Sequence, residues 1–136
     1  MTETQARRIR TDPDPFECFC LSQGFRIGDL IILSGQAAMT ADGAVVGIAD
    51  FDAQAEQVFR NIEALLTAAG ASLADVVKVT IYLTDMQYFP KIVELRRKWF
   101  TAPYPADSIV EVRALALPEL MIEIEATAIS GVRKTG

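Results

Sequence analysis

Pro105-Ala106-Asp107-Ser108-Ile109-Val110-Glu111-Val112-Arg113-Ala114-Leu115-Ala116-Leu117-Pro118-Glu119-Leu120-Met121-Ile122-Glu123-Ile124-Glu125-Ala126-Thr127-Ala128 reads as two strands joined by a proline-containing turn. Successive side chains of a strand point to opposite faces. In the first strand Ser108, Val110 and Val112 fall on one side, with Asp107, Ile109, Glu111 and Arg113 on the other. In the second, Ile122, Ile124, Ala126 and Ala128 share a side, and Met121, Glu123, Glu125 and Thr127 take the opposite one. One face is expected to feed a core. The other is expected to gather carboxylates, Asp107 and Glu123 among them.

Upstream, Asp75 to Leu83 alternates in the same way, with Val77, Val79, Ile81 and Leu83 against Lys78, Thr80 and Tyr82. Ser72 and Asp75 stand at capping-box spacing just before it. From Asp52 to Ala69 the apolar positions Ala55, Val58, Phe59, Ile62, Leu65, Leu66 and Ala69 follow helical spacing, and Gly70 stands where such a helix ends. A second helix is predicted after the Thr84-Asp85 cap, with Phe89, Ile92, Leu95 and Trp99 as its core stripe and Tyr104-Pro105 as its end. Leu30-Ile31-Ile32-Leu33 is a continuous apolar run, the pattern of a strand buried on both faces. Asp42-Gly43 marks a hairpin-type turn. The order of strands, helix, strand, helix and two strands is α+β, with helices gathered on one face of the sheet. Two helices cover one face only, so the apolar groups left on the other predict a homo-oligomer with sites at its seams.

The 136 residues fit a single domain spanning 1–136, with a core that needs no staples. A net charge of −5 argues against a nucleic-acid surface. No run reaches the roughly 18 apolar residues of a membrane span, and a cytoplasmic setting is the expectation. The absence of histidine removes Ser-His-Asp and Cys-His machinery and imidazole-based zinc sites. Phe16 to Arg26 alternates loosely, a weak strand signal; on an extended strand the Cα atoms of Cys18 and Cys20 would sit near the roughly 7 Å upper limit for bridging, so no disulfide is expected and the two read as small buried or half-buried hydrophobes. Neither metal nor cofactor is expected.

Several motifs in one order carry a resemblance. Ser34-Gly35-Gln36, Asn61-Ile62, Ala68-Ala69-Gly70-Ala71-Ser72-Leu73, Asp75-Val76-Val77-Lys78-Val79-Thr80, Tyr82-Leu83-Thr84-Asp85-Met86, Phe100, Pro105-Ala106, Val110-Glu111-Val112 and Ile122-Glu123-Ile124-Glu125-Ala126 together resemble the RidA family, also called YjgF/YER057c/UK114. The resemblance implies a chorismate-mutase-like fold of about six mainly antiparallel strands. It also implies a homotrimer, with a small-molecule pocket at each subunit interface. It further implies hydrolysis of reactive imines and enamines to keto acids and ammonia, without metal or cofactor. Glu123 matches the family's water-positioning glutamate, and Ser34 and Gly35 match backbone around the pocket. Asp107 stands where the family has a carboxylate-holding arginine, Val93 where an asparagine is common, and Leu21, or Phe19 in a shifted register, where a tyrosine is expected. Ile109 and Arg113, on the face of Asp107, complete the candidate binding residues.

Losing an arginine clamp removes a charge-assisted contact, and aspartate adds repulsion. The sequence therefore predicts poor turnover of imino acids. It predicts instead a hydrolase or deaminase for an imine, enamine or amide-like metabolite without the usual carboxylate, with Asp107 and Glu123 as an acid–base pair. The alternatives are a non-catalytic binding or regulatory trimer, with Asp107 paired to Arg113, or an anion site recruiting Arg113, Arg97 or Arg26.

Overall fold

The computed structural model describes residues 3–136. Its strands are β1 (Arg7–Ile9), β2 (Gly24–Ile27), β3 (Leu30–Leu33), β4 (Gln36–Ala37), β5 (Val76–Leu83), β6 (Ala106–Glu111) and β7 (Ile122–Ile129), with helices α1 (Phe51–Ala68) and α2 (Phe89–Trp99). One sheet holds them in the order β1-β2-β3-β7-β5-β6, and β4 adds to β7. Every pairing is antiparallel except β5 with β6, which is parallel.

α1 forms where its stripe predicts. The Asp50 carboxylate caps it by accepting the Ala53 amide at 3.1 Å, and Gly70 adopts a φ of +79° just beyond its end. Ala55, Val58, Phe59, Ile62, Leu65 and Leu66 are buried against Val79, Ile81 and Leu83 of β5 and Ile122, Ile124, Ala126 and Ala128 of β7. The Ser72–Asp75 capping box forms and leads into β5. Asp85 caps a short 3-10 turn, Met86–Tyr88, that runs into α2. α2 ends at Trp99, before the predicted Tyr104-Pro105 stop. Met39 bridges Val45 around the Asp42-Gly43 turn, as that dipeptide predicts.

Four expectations are corrected. β6 and β7 are not a hairpin, because β5 lies between them. The Leu30–Leu33 run is buried on one face only: Ile31 and Leu33 are in the core, whereas Leu30 and Ile32 are 39% and 40% exposed on a sheet face that no helix covers. Cys18 and Cys20 are exposed, in and just after a 3-10 turn at Glu17–Phe19 rather than on a strand. Ile109 is half-buried and packs on the core, not on the open face.

A polar anchor that apolar patterning does not reveal ties α1 to the segment between β6 and β7. Gln54 is fully buried; its amide nitrogen donates to the carbonyls of Gly47 (3.1 Å) and Glu119 (2.8 Å), and its carbonyl accepts the Met121 amide (2.8 Å).

Candidate functional site

The parity of β7 is set by its buried residues Ile122, Ile124 and Ala126, so Glu123 and Glu125 project from the open face. Across the antiparallel pairing with β5, Tyr82 lies opposite Glu123, and Thr80 opposite Glu125. The Tyr82 hydroxyl donates to the Glu125 carboxylate at 2.5 Å. That bond, then burial, raises the Tyr82 pKa above its ordinary value. On the same face Lys78 donates to the Ser108 hydroxyl at 2.9 Å.

Glu123 has no such partner. Its carboxyl forms no hydrogen bond or ion pair among the described residues, and it lies against Gly35, where a Cβ would stand 2.5 Å from Oε2. Burial, helped by the Glu125 charge, raises its pKa above the ordinary glutamate value. Ser34 is fixed beside Gly35: its amide donates to the Gln23 carbonyl at 2.8 Å and its hydroxyl to the Ser22 carbonyl at 2.6 Å. That link holds the segment bearing Leu21 near Ser34, with Leu21 43% and Phe19 65% exposed. A carboxyl that keeps its proton to higher pH, beside open backbone and exposed apolar side chains, can hold a water or hand a proton to a polar ligand.

Asp107 lies on the other side of the sheet. In the parallel register it stands beside Val79 of β5, whose side chain is in the core, so it faces α2. There the Arg96 Nε donates to Asp107 Oδ2 at 2.9 Å. Val93, Arg96, Arg97, Tyr104, Pro105 and Asp107 line an open groove. The expected Asp107–Glu123 pair therefore does not form within one chain, because the two carboxylates occupy opposite faces. Arg113 is exposed beyond the end of β6 and is not the partner of Asp107. Val93 does join Asp107 in the groove, whereas Ile109 packs inward. Glu111 accepts the Met86 amide at 2.8 Å, a structural duty.

Arg96 is the residue that sequence reasoning missed. It falls four residues after Ile92 and three before Trp99, so a guanidinium interrupts the core stripe of α2. A charge in such a stripe calls for a buried partner, and that was the available signal. Among the described residues no group of three or more His, Cys, Asp or Glu is placed to hold a metal, and no helix is long and apolar enough to cross a membrane.

Comparison with known proteins agrees with this architecture. A family model described as Endoribonuclease L-PSP matches residues 14–130. A RutC family protein of Pyrococcus abyssi is 39% identical over 120 residues, covering 88% of this chain and 94% of its own length. The 2-iminobutanoate/2-iminopropanoate deaminase of Escherichia coli is 35% identical over 127 residues, covering 91% of this chain and 98% of its own. Among solved structures, RidA from an Antarctic Psychrobacter superposes with a TM-score of 0.82 at 37% identity, covering 90% of this chain and 98% of that one. The YjgF gene product of Escherichia coli does so at 0.80 and 34%, with the same coverage. Matched across nearly its whole described length in both sequence and fold, the chain belongs to the Endoribonuclease L-PSP family, the RidA or YjgF/YER057c/UK114 family whose motifs it carries.

Proposed function

We propose that the protein hydrolyses the C=N bond of a small imine or enamine tautomer, in a pocket completed where two copies meet within a homotrimer. The observation that carries this reading is Glu123: a half-buried carboxyl without a partner, held above its ordinary pKa and pressed against Gly35 on the open face. Water adds to the imine carbon as the nitrogen gains a proton from Glu123. The deprotonated Glu123 then takes the proton released by the added water. The carbinolamine next loses ammonia, its nitrogen leaving with a proton returned by Glu123, and the carbonyl forms as the hydroxyl proton passes back. The sum is imine plus water giving ketone plus ammonia, with Glu123 unchanged. That one relative is named 2-iminobutanoate/2-iminopropanoate deaminase supports the reaction class.

Assembly is supported by the same face. Leu30, Ile32, Val110 and Ile129 are each about two-fifths exposed there, an apolar surface that a second copy would cover. Because Asp107 and Glu123 lie on opposite faces, only a neighbouring copy could bring the α2 groove to Glu123. A cytoplasmic setting belongs to the same reading. The ribonuclease activity in the family description is set aside, since a net charge of −5 and the absence of histidine suit neither phosphate binding nor histidine acid–base cleavage.

The sequence-based preference for a substrate lacking a carboxylate assumed an uncompensated Asp107. Arg96 compensates it, so the groove is not a negative site. A second reading, a binding assembly without chemistry, is favoured by that same ion pair if its role is purely structural. Hydrolysis of 2-iminobutanoate generated in situ by an amino-acid oxidase, followed in competition with semicarbazide, separates the two. Acceleration by the wild type and its loss in Glu123→Gln are expected; no acceleration by the wild type sinks the catalytic reading.

A further inference from the structure

We infer that the cavity between α1, β4 and the segment leading from β1 to β2 is a second ligand site, which takes a small uncharged molecule able both to donate and to accept a hydrogen bond, as a primary carboxamide or a urea does. It stands apart from the proposed hydrolysis. The cavity measures about 100 Å³, room for about three waters or one small organic molecule. Its floor, Gln23, Gln36, Ala37 and Leu65, is buried. Its mouth is open, because Ala41 and Ala64 are exposed. Strand register aims Gln36 into it: Gln36 pairs with Ile124, whose side chain is in the core beneath α1, and residues directly opposite across an antiparallel pair share a face. The Glu123 carboxyl projects from the other face, so the two sites are distinct.

Three carboxamides reach the cavity, and two are already committed to the fold. Asn61 donates to the carbonyls of Ala37 (3.1 Å) and Met39 (2.8 Å) and accepts from Gln57 (2.8 Å). The Gln23 oxygen accepts the Thr11 amide at 2.7 Å, and its nitrogen donates to the Thr11 hydroxyl at 3.1 Å. Gln36 differs. Its residue is only 3% exposed, its nitrogen donates once, to the Ser34 carbonyl at 3.0 Å, and its oxygen accepts nothing among the described residues. A carboxamide offers two N–H donors and an oxygen acceptor, so one donor and the acceptor are unspent. Buried polar groups are ordinarily satisfied, and one left half-used at the floor of a cavity fits a partner supplied from outside. Gln36 and Asn61 both belong to the sequence motifs, and the chemistry given to Glu123 uses neither.

Charge sets the ligand class. No Asp, Glu, Lys or Arg lines the cavity. An ion entering it would shed its water without gaining a counter-charge, which costs far more than desolvating a neutral group. A molecule that donates and accepts can meet both unspent groups of Gln36 and so replace what water offers there. Phe16, Met39 and Leu65 provide apolar wall for its hydrocarbon part.

Acetamide is the probe, with acetate as its charged isostere. Each is titrated into the full-length nitrogen-labelled protein, and proton–nitrogen correlation spectra follow the side-chain amides of Gln23, Gln36 and Asn61. A ligand of so few atoms binds weakly, so a Kd on the order of 1–10 mM is expected for acetamide, with saturating shifts confined to the cavity residues. Acetate should bind at least about 30-fold more weakly. Gln36→Met, similar in volume but without the amide, should weaken acetamide about tenfold. Ala64→Leu narrows the mouth from an exposed helical position, is the variant more certain to fold, and should abolish the saturable shifts. Shifts that grow without saturating, binding of acetate as tight as that of acetamide, or undiminished binding by either variant overturns the inference. A crystal soaked in acetamide that shows ordered water alone in the cavity overturns it as well. The readout does not depend on turnover, so absence of imine hydrolysis leaves it standing.

Discussion

Gly35→Ala tests whether the position of the Glu123 carboxyl is what the open face is built to set. Gly35 does not adopt a positive φ, so alanine meets no backbone obstacle there. The added Cβ would instead stand 2.5 Å from Glu123 Oε2, 2.8 Å from Cδ and 3.1 Å from Cγ. Ordinary contact begins at 3.4 Å, so the carboxyl must retreat by about 0.9 Å. It can do so cheaply, because it is the end of a flexible side chain with no hydrogen bond to break. The fold should therefore keep its melting temperature within about 2 °C, since strain that a free side chain can relieve costs little. A misplacement of about 1 Å at a reacting group costs on the order of a hundredfold in rate, so kcat for 2-iminobutanoate hydrolysis should fall by about that factor. The assay is the semicarbazide competition, with a thermal melt of the same sample. A Gly35→Ala protein that melts normally and turns over at the wild-type rate would refute the role given to Glu123. A large fall in melting temperature would refute the claim that the carboxyl simply swings aside.

Stability should respond to pH through the same residue. A folded-state pKa above the ordinary 4.5 means that folding favours protonated Glu123, so its stabilisation is present below pH 4.5 and lost as pH rises through the folded value. Glu123→Gln should therefore melt above wild type at pH 8 and level with it below pH 4.5, as read by melts across that range. Gln54→Leu leaves two carbonyls and the Met121 amide unpaired in the core. About 2–4 kcal/mol of stability should be lost, or roughly 6–12 °C in Tm by differential scanning calorimetry. Ile32→Glu puts a charge on the uncovered apolar face, and light scattering coupled to gel filtration should show a shift from the wild-type assembly to monomer.

α1, β5 and β7 were legible from the chain because each pairs a strong apolar period with an unambiguous polar remainder. Ile122, Ile124, Ala126 and Ala128 leave no doubt about which side of β7 is dry, and Glu123 followed onto the open face. β6 offered no such contrast. Ile109 on one side and Val110 on the other are equally apolar, so alternation alone cannot tell which one meets the core. The deciding fact is tertiary: β6 docks in parallel beside β5, with Asp107 level with Val79 and facing α2. That placement also hid the partner of Asp107, since Arg96 is brought to it by the path of α2 and not by pleat spacing. Leu30–Leu33 misled for a related reason, because a continuous apolar run fits burial by a second copy as well as by the chain's own helices. The Cys18–Cys20 segment was misread as strand because the Asp12-Pro13-Asp14-Pro15 stretch is followed by a tight turn instead of by sheet.

The parallel docking of β6 on β5 divides the molecule into two inheritable parts. Arg96, Asp107 and the rest of their groove belong to one continuous stretch, β5 through α2 to β6, whose contacts are short in sequence. Glu123 is placed by a different set, β7 together with Ser34 and Gly35 from nearly ninety residues earlier. On the proposed reading, in which Glu123 handles protons, substitutions on α2 leave the surroundings of that group undisturbed. The 86–107 segment is thus a local unit that can be exchanged between relatives without rewriting what surrounds Glu123.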